Sequence, residues 1–398
     1  MKIGIDASRA NSDYKTGTEW YSYHLIVNLA KIDQENHYIL YSKEPLKNGL
    51  KNLGQNFKSR VLNWPPKLLW SQIRLSLEML FNPPDLLFVP AHTLPLIHPS
   101  KTVTTCHDVG FEKYPELYAK KEIGGQSSFV KKIIFVLVKI LTLGRFGNNE
   151  LDYHRFAMRF AVKHATKIIT PSFFTAKELI NFYPQAKGKI FTTHLGLNHD
   201  IYRKINNQAA ITPVLNKFSL KIPFIVFVGR LEQKKNIVGI IESFKRFKMK
   251  YKSNHQLVLI GKRGYGFEKA EELIQKYSLE GEIKQIGWVN DNEIAAIYNA
   301  AEALLFLSCY EGFGFPPLEA QACGLPVLAS DRGSLPEILE DSAMLVAAES
   351  CEQAADGLYQ LINNQDLRKK LIEKGLARVK RFNWQNCAKS TLEIFESS

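Results

Sequence analysis

The sequence predicts an α/β protein built from two tandem, doubly wound (Rossmann-like) parallel-sheet domains. Three observations carry that prediction. Short apolar runs alternate with helix-like stretches along the whole chain, the pattern of an open parallel sheet covered by helices. The alternation is interrupted once, by the polar stretch IYRKINNQAAITPVLNKFSLK (201–221), and then starts again. At 398 residues with 45% hydrophobic content, the chain is too long for one core and apolar enough for two. The boundaries read as 1–205 for the first domain and 206–381 for the second.

In the first half the strands are KIGIDAS (2–8), HYILYS (37–42), DLLFVP (85–90), KTVTTC (101–106), TKIITPS (166–172) and KIFTTHLG (189–196). Helices are expected near 18–32, near 67–81 and after ITPS, where Ser172 serves as the N-cap for FTAKEL. The second half offers PFIVFVGR (223–230), QLVLIG (256–261), IKQIG (283–287), AEALLFLS (301–308), LPVLAS (325–330) and MLVA (344–347). Helices fall near 236–249, 268–277 and 291–301, and then run on to the C-terminus. Asn290 with Glu293 forms a capping box for the third of these.

The rest of the chain is organised around Tyr310 to Glu337, YEGFGFPPLEAQACGLPVLASDRGSLPE. Gly312 and Gly314 let the backbone turn sharply and lie close to a ligand. Pro316 and Pro317 suit a first helical turn. The helix LEAQAC follows, with Glu319 in its first turn and Gly324 as its C-cap. Free amides and a helix N-terminus at a strand end are a phosphate-binding arrangement. Glu311 and Glu319, with seven residues between them, then need different targets: one suits the hydroxyls of a ribose, the other a sugar hydroxyl or a developing charge.

This stretch resembles the donor-site signature of the retaining nucleotide-sugar glycosyltransferases of family 4, the mannosyltransferase-like group 1 enzymes of GT-B architecture. The resemblance covers nearly the whole chain and is strongest over 285–340, with good agreement at 225–236 and 85–117. It implies two domains facing a cleft, with a terminal segment, 382–398, crossing back onto the first. Phe382 and Trp384 match the family's closing segment. It also implies transfer of a mannose- or glucose-type hexose from a GDP- or UDP-sugar to a hydroxyl, with the anomeric configuration kept. The acceptor would be a glycan or a lipid-linked, anionic molecule, in cell-surface polysaccharide or glycolipid synthesis.

Residue by residue, the resemblance places Gly229, Arg230 and Lys235 of VGRLEQKKN on the donor diphosphate, where paired guanidinium donors and an ammonium neutralise a leaving group. Lys234 points elsewhere, and Asn236 stands where a glycine is more usual. Glu319 takes the ribose, and Glu311 with the amides of Gly312, Phe313, Gly314 and Phe315 positions the sugar. His107, ending KTVTTC, contacts the sugar or assists proton movement from the first domain, while Asp108 orients its loop. Of Thr16-Gly17-Thr18, only Gly17 is carried over, because Glu19 would repel phosphate. Gly261 to Gly264, with Gly287 and Trp288, frame the nucleobase without distinguishing guanine from uracil. No residue stands out as a nucleophile.

Several classes fall away. No Asp-x-Asp, Gly-x-Gly-x-x-Gly, Walker loop or His-Glu-x-x-His occurs, so neither a metal nor a cofactor beyond the nucleotide-sugar substrate is expected. The five cysteines form no C-x-x-C pair and read as free thiols in a reducing compartment. MKIGIDAS reads as a strand and not as a signal peptide, and no run is long enough to span a bilayer. A cytoplasmic enzyme is expected.

Charge is uneven. Residues 1–205 hold 28 Lys and Arg against 16 Asp and Glu, whereas 206–398 hold 24 against 23. The basic half points to an anionic partner. Nucleic acid would qualify, but no binding motif accompanies the charge. The run FVKKIIFVLVKILTL (129–143) gathers Lys131, Lys132 and Lys139 on one side of a helix with an apolar arc opposite. That pattern suits peripheral contact with anionic lipid at the inner face of the cytoplasmic membrane, and equally a helix packed inside the first domain. The competing functions are an epimerase or phosphorylase of the same architecture and a basic nucleic-acid-binding protein.

Overall fold

The structure is a computed structural model and describes residues 1–64, 69–119 and 149–398. The run 129–143 lies outside the described residues. The described chain divides into two units, one of Met1–Gly196 with Trp384–Ser398 and one of Leu197–Asn383.

In the first unit β1 (Lys2–Asp6), β2 (His37–Ser42), β3 (Phe57–Val61), β4 (Leu86–Val89), β5 (Thr102–Thr105), β6 (Lys167–Thr170) and β7 (Ile190–Thr192) form one sheet, ordered β3-β2-β1-β4-β5-β6-β7. Every pairing is parallel. The strand order reverses between β1 and β4, and β4 is buried at every position. That is what a strand covered by helices on both faces requires. The strand β3, FKSRV, lies outside the predicted set. It sits at the sheet edge with its last four residues exposed, so it carries no apolar run to be read.

The helix Gly17–Ile32 begins with a capping box in which Thr16 and Glu19 satisfy each other's end of the turn. The helix Trp384–Glu396 packs against it: Trp384 stacks on His24 with ring centres 5.0 Å apart, and Phe395 meets Phe88 of β4 at 5.0 Å. Near the predicted 67–81 helix, the chain makes a wide π-type turn over Ser71–Leu75 before the α-helix Ser76–Phe81.

The second unit repeats the plan. Strands β8 (Phe224–Val228), β9 (Gln256–Ile260), β10 (Ile283–Ile286), β11 (Ala303–Phe306), β12 (Val327–Ser330) and β13 (Met344–Val346) are ordered β10-β9-β8-β11-β12-β13. All pair in parallel, and the order reverses between β8 and β11. The predicted strands of this half all form. The stretch read as a linker holds the helix Gln208–Phe218 despite Pro213 inside it. Lys217 pairs with Glu293 at 2.5 Å, anchoring that helix to Asp291–Ala300. Tertiary packing here outweighs the roughly 3 kcal/mol that proline costs a helix interior.

Residues 197–205, read from the sequence as the end of the first domain, lie in the second unit. Leu197 bridges Asn383, and the Ile205 amide donates to Asn299 Oδ1 at 2.8 Å. The helix after the organising loop begins at Phe315, three residues before LEAQAC, so Glu319 falls in its second turn and not its first. Gly324 follows that helix with a φ of 76°, the left-handed conformation that glycine adopts freely after a helix.

Candidate active site at the carboxyl edge of the second sheet

In doubly wound sheets, ligands bind beyond the carboxyl ends of the strands where the strand order reverses. In the second unit that point lies between β8 and β11. Gly229 and Arg230 leave β8, and Tyr310 and Glu311 follow β11 a few residues on.

Hydrogen bonds zip the loops after β8 and β9 together. Gly229 N–H donates to Ile260 O and Leu231 N–H to Lys262 O, both at 2.9 Å. A side chain on Gly261, whose φ is +144°, would meet Gly229 O at 1.9 Å, so only glycine allows this approach. Arg230 turns outward, its Nε 3.3 Å from Glu232, with 55% of its side chain exposed. The chain then makes one tight turn over Gln233–Lys235 and starts the helix Ile237–Tyr251 at Asn236. Asn236 adopts a φ of 56°, a conformation asparagine tolerates better than most residues. Its side chain accepts from Gly239 N–H at 3.2 Å and donates to Ala348 O at 2.9 Å. These bonds are the reason asparagine serves where glycine was expected.

That turn is tied to the end of β11. Cys309 N–H and Ser308 Oγ donate to Lys234 O at 2.9 and 3.3 Å. The consequence is a meeting across the reversal point: Lys235 Nζ lies 2.5 Å from Glu311 Oε1, both side chains largely buried. Lys234 takes a different direction, over the ring of Tyr310. The Glu311 carbonyl accepts from Ser334 N–H at 3.1 Å. The close approach depends on Gly333, at φ +65°, where a Cβ would lie 2.7 Å from Glu311 N. Gly314, at φ 102° and ψ 65°, caps the helix Phe315–Ala322, and Ser334 Oγ donates to Phe313 O at 2.8 Å. Phe313 is buried against Phe315 and Phe382. Gly312 lies in the same loop.

Glu319 does not join Lys235 and Glu311. Its carboxyl faces the helix Asp291–Ala300, where Tyr298 donates to Oε2 at 3.4 Å, with Tyr202 nearby. The residue keeps some accessible surface, but the carboxyl itself is enclosed, and burial beside Asp291 pushes it up to about 8. Tyr202, Tyr298 and Asp291 are site neighbours that the sequence reading passed over. The one available signal was Asp291 and Tyr298 seven apart on a single helix face. Trp288, after β10, is more than half exposed.

The first unit holds the remaining two candidates. His107 follows β5, its Nε2–H donating to Pro90 O at 2.9 Å and its ring edge-on to Tyr21 at 4.9 Å. Burial pushes this imidazole below the usual histidine range, and the Pro90 carbonyl offsets that only in part. The ring is therefore neutral near pH 7, with Nδ1 as its accepting nitrogen. Asp108 Oδ1 accepts from Gly110 N–H at 2.8 Å and shapes the loop. Gly17 opens the helix Gly17–Ile32. Glu19, expected to repel phosphate there, is engaged otherwise: it closes the capping box and pairs with Arg9 at 3.1 Å. Burial works against its ionisation, but the Thr16 hydrogen bonds and the Arg9 charge win and hold it below the usual glutamate range. Among the described residues, no group of three His, Cys, Asp or Glu is placed to hold a metal ion. Nor is any helix among them long and apolar enough to cross a membrane.

Residues 215–378 match the family model for group 1 glycosyl transferases, so the second unit carries a domain of that family. Over 297 residues the chain is 27% identical to O-antigen chain mannosyltransferase B of Escherichia coli, covering 74% of this chain and 70% of that one. Sucrose-phosphate synthase of Thermosynechococcus elongatus shares the fold with a TM-score of 0.72 at 17% identity, over all of this chain and 98% of the other. Anabaena HepE, solved in complex with UDP-glucose, matches with a TM-score of 0.71 at 16% identity over the whole of both chains. The fold is that of GT-B glycosyltransferases.

Proposed function

We propose that this chain, with its group 1 glycosyl transferase domain, moves a hexose of the mannose or glucose type from a nucleoside-diphosphate sugar to a hydroxyl of a glycan or lipid-linked acceptor, retaining the anomeric configuration. The observation that carries the reading is the Lys235–Glu311 pair at the β8/β11 reversal, flanked by Arg230. An ammonium and a guanidinium at that edge can take up the charge that develops on a departing diphosphate. In the unliganded chain Glu311 neutralises Lys235. A bound diphosphate competes for the lysine and frees Glu311 to accept from a sugar hydroxyl, helped by the amides of Gly312 to Phe315. Glu319 accepts from the ribose, and His107, through Nδ1, accepts a hydrogen bond from sugar or acceptor. The cations make a metal ion unnecessary to the step.

The E. coli relative, a mannosyltransferase of O-antigen chains, supports mannose and a surface polysaccharide. HepE with UDP-glucose supports a nucleotide sugar as the donor class. Synthesis would then take place at the inner face of the cytoplasmic membrane, and the basic first half suits an anionic acceptor. Incubating the protein with a panel of GDP- and UDP-hexoses, in the presence of EDTA and of glycan or lipid-linked acceptors, tests the reading. Nucleoside diphosphate should be released only when an acceptor is present. Release without any acceptor, or turnover abolished by EDTA and restored by manganese, would contradict it.

A further inference from the structure

The first sheet has a reversal point of its own, between β1 and β4, and ligands are expected beyond it for the same reason as in the second. The function proposed above draws on His107, which follows β5, and leaves unused the polar residues gathered where β1 and β4 end. Asp6 closes β1, buried, and its carboxylate accepts from Ser8 N–H at 3.0 Å and from Ser71 Oγ at 3.2 Å. Ser71 opens the wide turn Ser71–Leu75, of a kind found frequently at functional sites. Gln72, the next residue, is buried and donates from Nε2 to Tyr153 Oη at 3.1 Å. Beyond β4 the backbone is fastened to β5 and its loop: Thr104 Oγ1 donates to Ala91 O at 2.6 Å, and His107 donates to Pro90 O at 2.9 Å. Those two bonds fix the stem of the next residue, His92.

His92 meets His154 of the helix Glu150–His164, with Nε2 of the first ring 3.0 Å from Nδ1 of the second. Buried Phe111 stacks on His154, ring centres 5.4 Å apart and planes 18° from parallel. Two ring nitrogens at that distance share one proton, so one ring donates, the other accepts, and the tautomers are coupled. Both rings cannot be cations at once. Burial, with His154 beside it, holds His92 well below the usual histidine range. The bond occupies one nitrogen of His92. The other, Nδ1, has no hydrogen-bond partner among the described residues, and the residue is only partly buried. The charged groups that act on it are already engaged: Arg9 pairs with Glu19 at 3.1 Å, and Asp108 accepts from Gly110 N–H at 2.8 Å. What remains is an oriented neutral ring beside an amide and a phenol. Such groups exchange hydrogen bonds with hydroxyls and offer an anion no charge.

We propose that His92, oriented by His154, is a binding residue for the acceptor, and that the reversal point of the first sheet takes an uncharged sugar ring through its hydroxyls. This rests on the glycosyltransferase reading above. Nδ1 of His92 exchanges a hydrogen bond with one hydroxyl, and His154 is a positioning residue that acts through it. Any negative charge on the acceptor lies outside the ring held here.

Saturation-transfer NMR on the full chain with methyl α-mannoside, methyl α-glucoside and, as a charged control, mannose 6-phosphate tests this, with GDP and UDP affinity measured on every variant. One uncharged glycoside should bind the wild type, and mannose 6-phosphate should bind no more tightly. Glutamine can replace Nε2 in the bond to His154 but has no polar atom in the place of Nδ1. His92→Gln should therefore bind the glycoside about fivefold or more weakly, with nucleotide affinity within about twofold of the wild type. His154→Phe keeps the stack on Phe111 and loses the bond, so it should weaken glycoside binding in the same way. His154→Asn, whose amide stands where Nδ1 stood, should recover most of the loss, an outcome that a purely packing role for His154 does not give. If neither glycoside binds a wild type that does bind GDP or UDP, if mannose 6-phosphate binds more tightly than both, or if His92→Gln matches the wild type, the acceptor assignment fails and the donor reading stands. If His154→Phe matches the wild type, or His154→Asn binds no better than His154→Phe, the orienting role of His154 fails. If the wild type binds neither GDP nor UDP, the glycosyltransferase reading itself fails.

Discussion

At the carboxyl edge of the second sheet, a lysine and a glutamate face each other across the point where strand order reverses. At the carboxyl edge of the first sheet, one strand beyond its own reversal point, the candidate residue after β5 is an imidazole held neutral against a proline carbonyl. The two units share a parallel, doubly wound plan and differ in what they place along their carboxyl edges. Opposed charges in a largely buried pair can be drawn apart by a ligand that carries charge, because each ion keeps a partner throughout. A neutral ring with one accepting nitrogen offers direction and little electrostatic force. If that contrast is functional, charge on the ligand is handled by the second unit and hydroxyl geometry by the first.

The contrast is broken most severely at its charged side. Arg230→Ala and Lys235→Ala should each lower turnover by about 10²- to 10³-fold, the usual cost of losing one preorganised partner for developing charge. They should part company in stability. Arg230 is half exposed and, among the described residues, pairs with nearby Glu232, so urea denaturation of that variant should match the wild type within about 0.5 kcal/mol. Lys235→Ala strands the buried Glu311 carboxylate and should lose about 3 kcal/mol.

Next in size is Gly261→Ala. Its Cβ would sit 1.9 Å from a backbone oxygen at a φ of +144°, so the loops after β8 and β9 must separate. A loss of about 3 kcal/mol is expected, with donor affinity falling alongside it. Unchanged denaturation would mean that the two loops are not held together as described.

On the neutral side, His107→Gln should reduce turnover about tenfold without altering affinity for a nucleoside diphosphate. Its stability signature has a fixed sign. The folded ring resists protonation, and the unfolded ring accepts a proton near pH 6.5. Wild-type stability should therefore be complete above that value and decline as pH falls below it, and the variant should decline less. Smallest of all, Glu19→Ala loses the Arg9 pair and half of the capping box, for about 0.5–1 kcal/mol in thermal denaturation.

How much of this could be read from the chain alone varies with what each residue does. The strands of both parallel sheets were legible wherever they are buried, because a strand covered on both faces is written as an apolar run; β8, FIVFV, is the plainest case. The edge strand β3 was not, since FKSRV gives its solvent-facing polarity and hides its pairing. Gly312 and Gly314 read as letting the backbone lie close to a ligand. Within the chain itself, Gly261 and Gly333 lie hard against neighbouring backbone, which the sequence did not point to, and Gly314 lies against the Leu335 side chain. That Lys235 would meet Glu311 follows from neither local sequence, since 75 residues separate them and only the strand order brings them together. Tyr202 was hidden for another reason. It stands in a polar segment that looked like a linker, and what fixes it is a long-range pair of bonds to Asn299. The helix Gln208–Phe218 was concealed in the same way, by a proline whose cost is met through packing elsewhere in its unit.

The division of labour between the two sheets is tested most directly by titrating GDP and UDP into the wild type, Lys235→Ala and His107→Gln under identical buffer and salt. One nucleotide should bind the wild type and His107→Gln with affinities within twofold of each other, while Lys235→Ala should lose at least about tenfold. A Lys235→Ala protein that is folded and binds that nucleotide as tightly as the wild type would contradict the assignment of the donor diphosphate to the edge between β8 and β11.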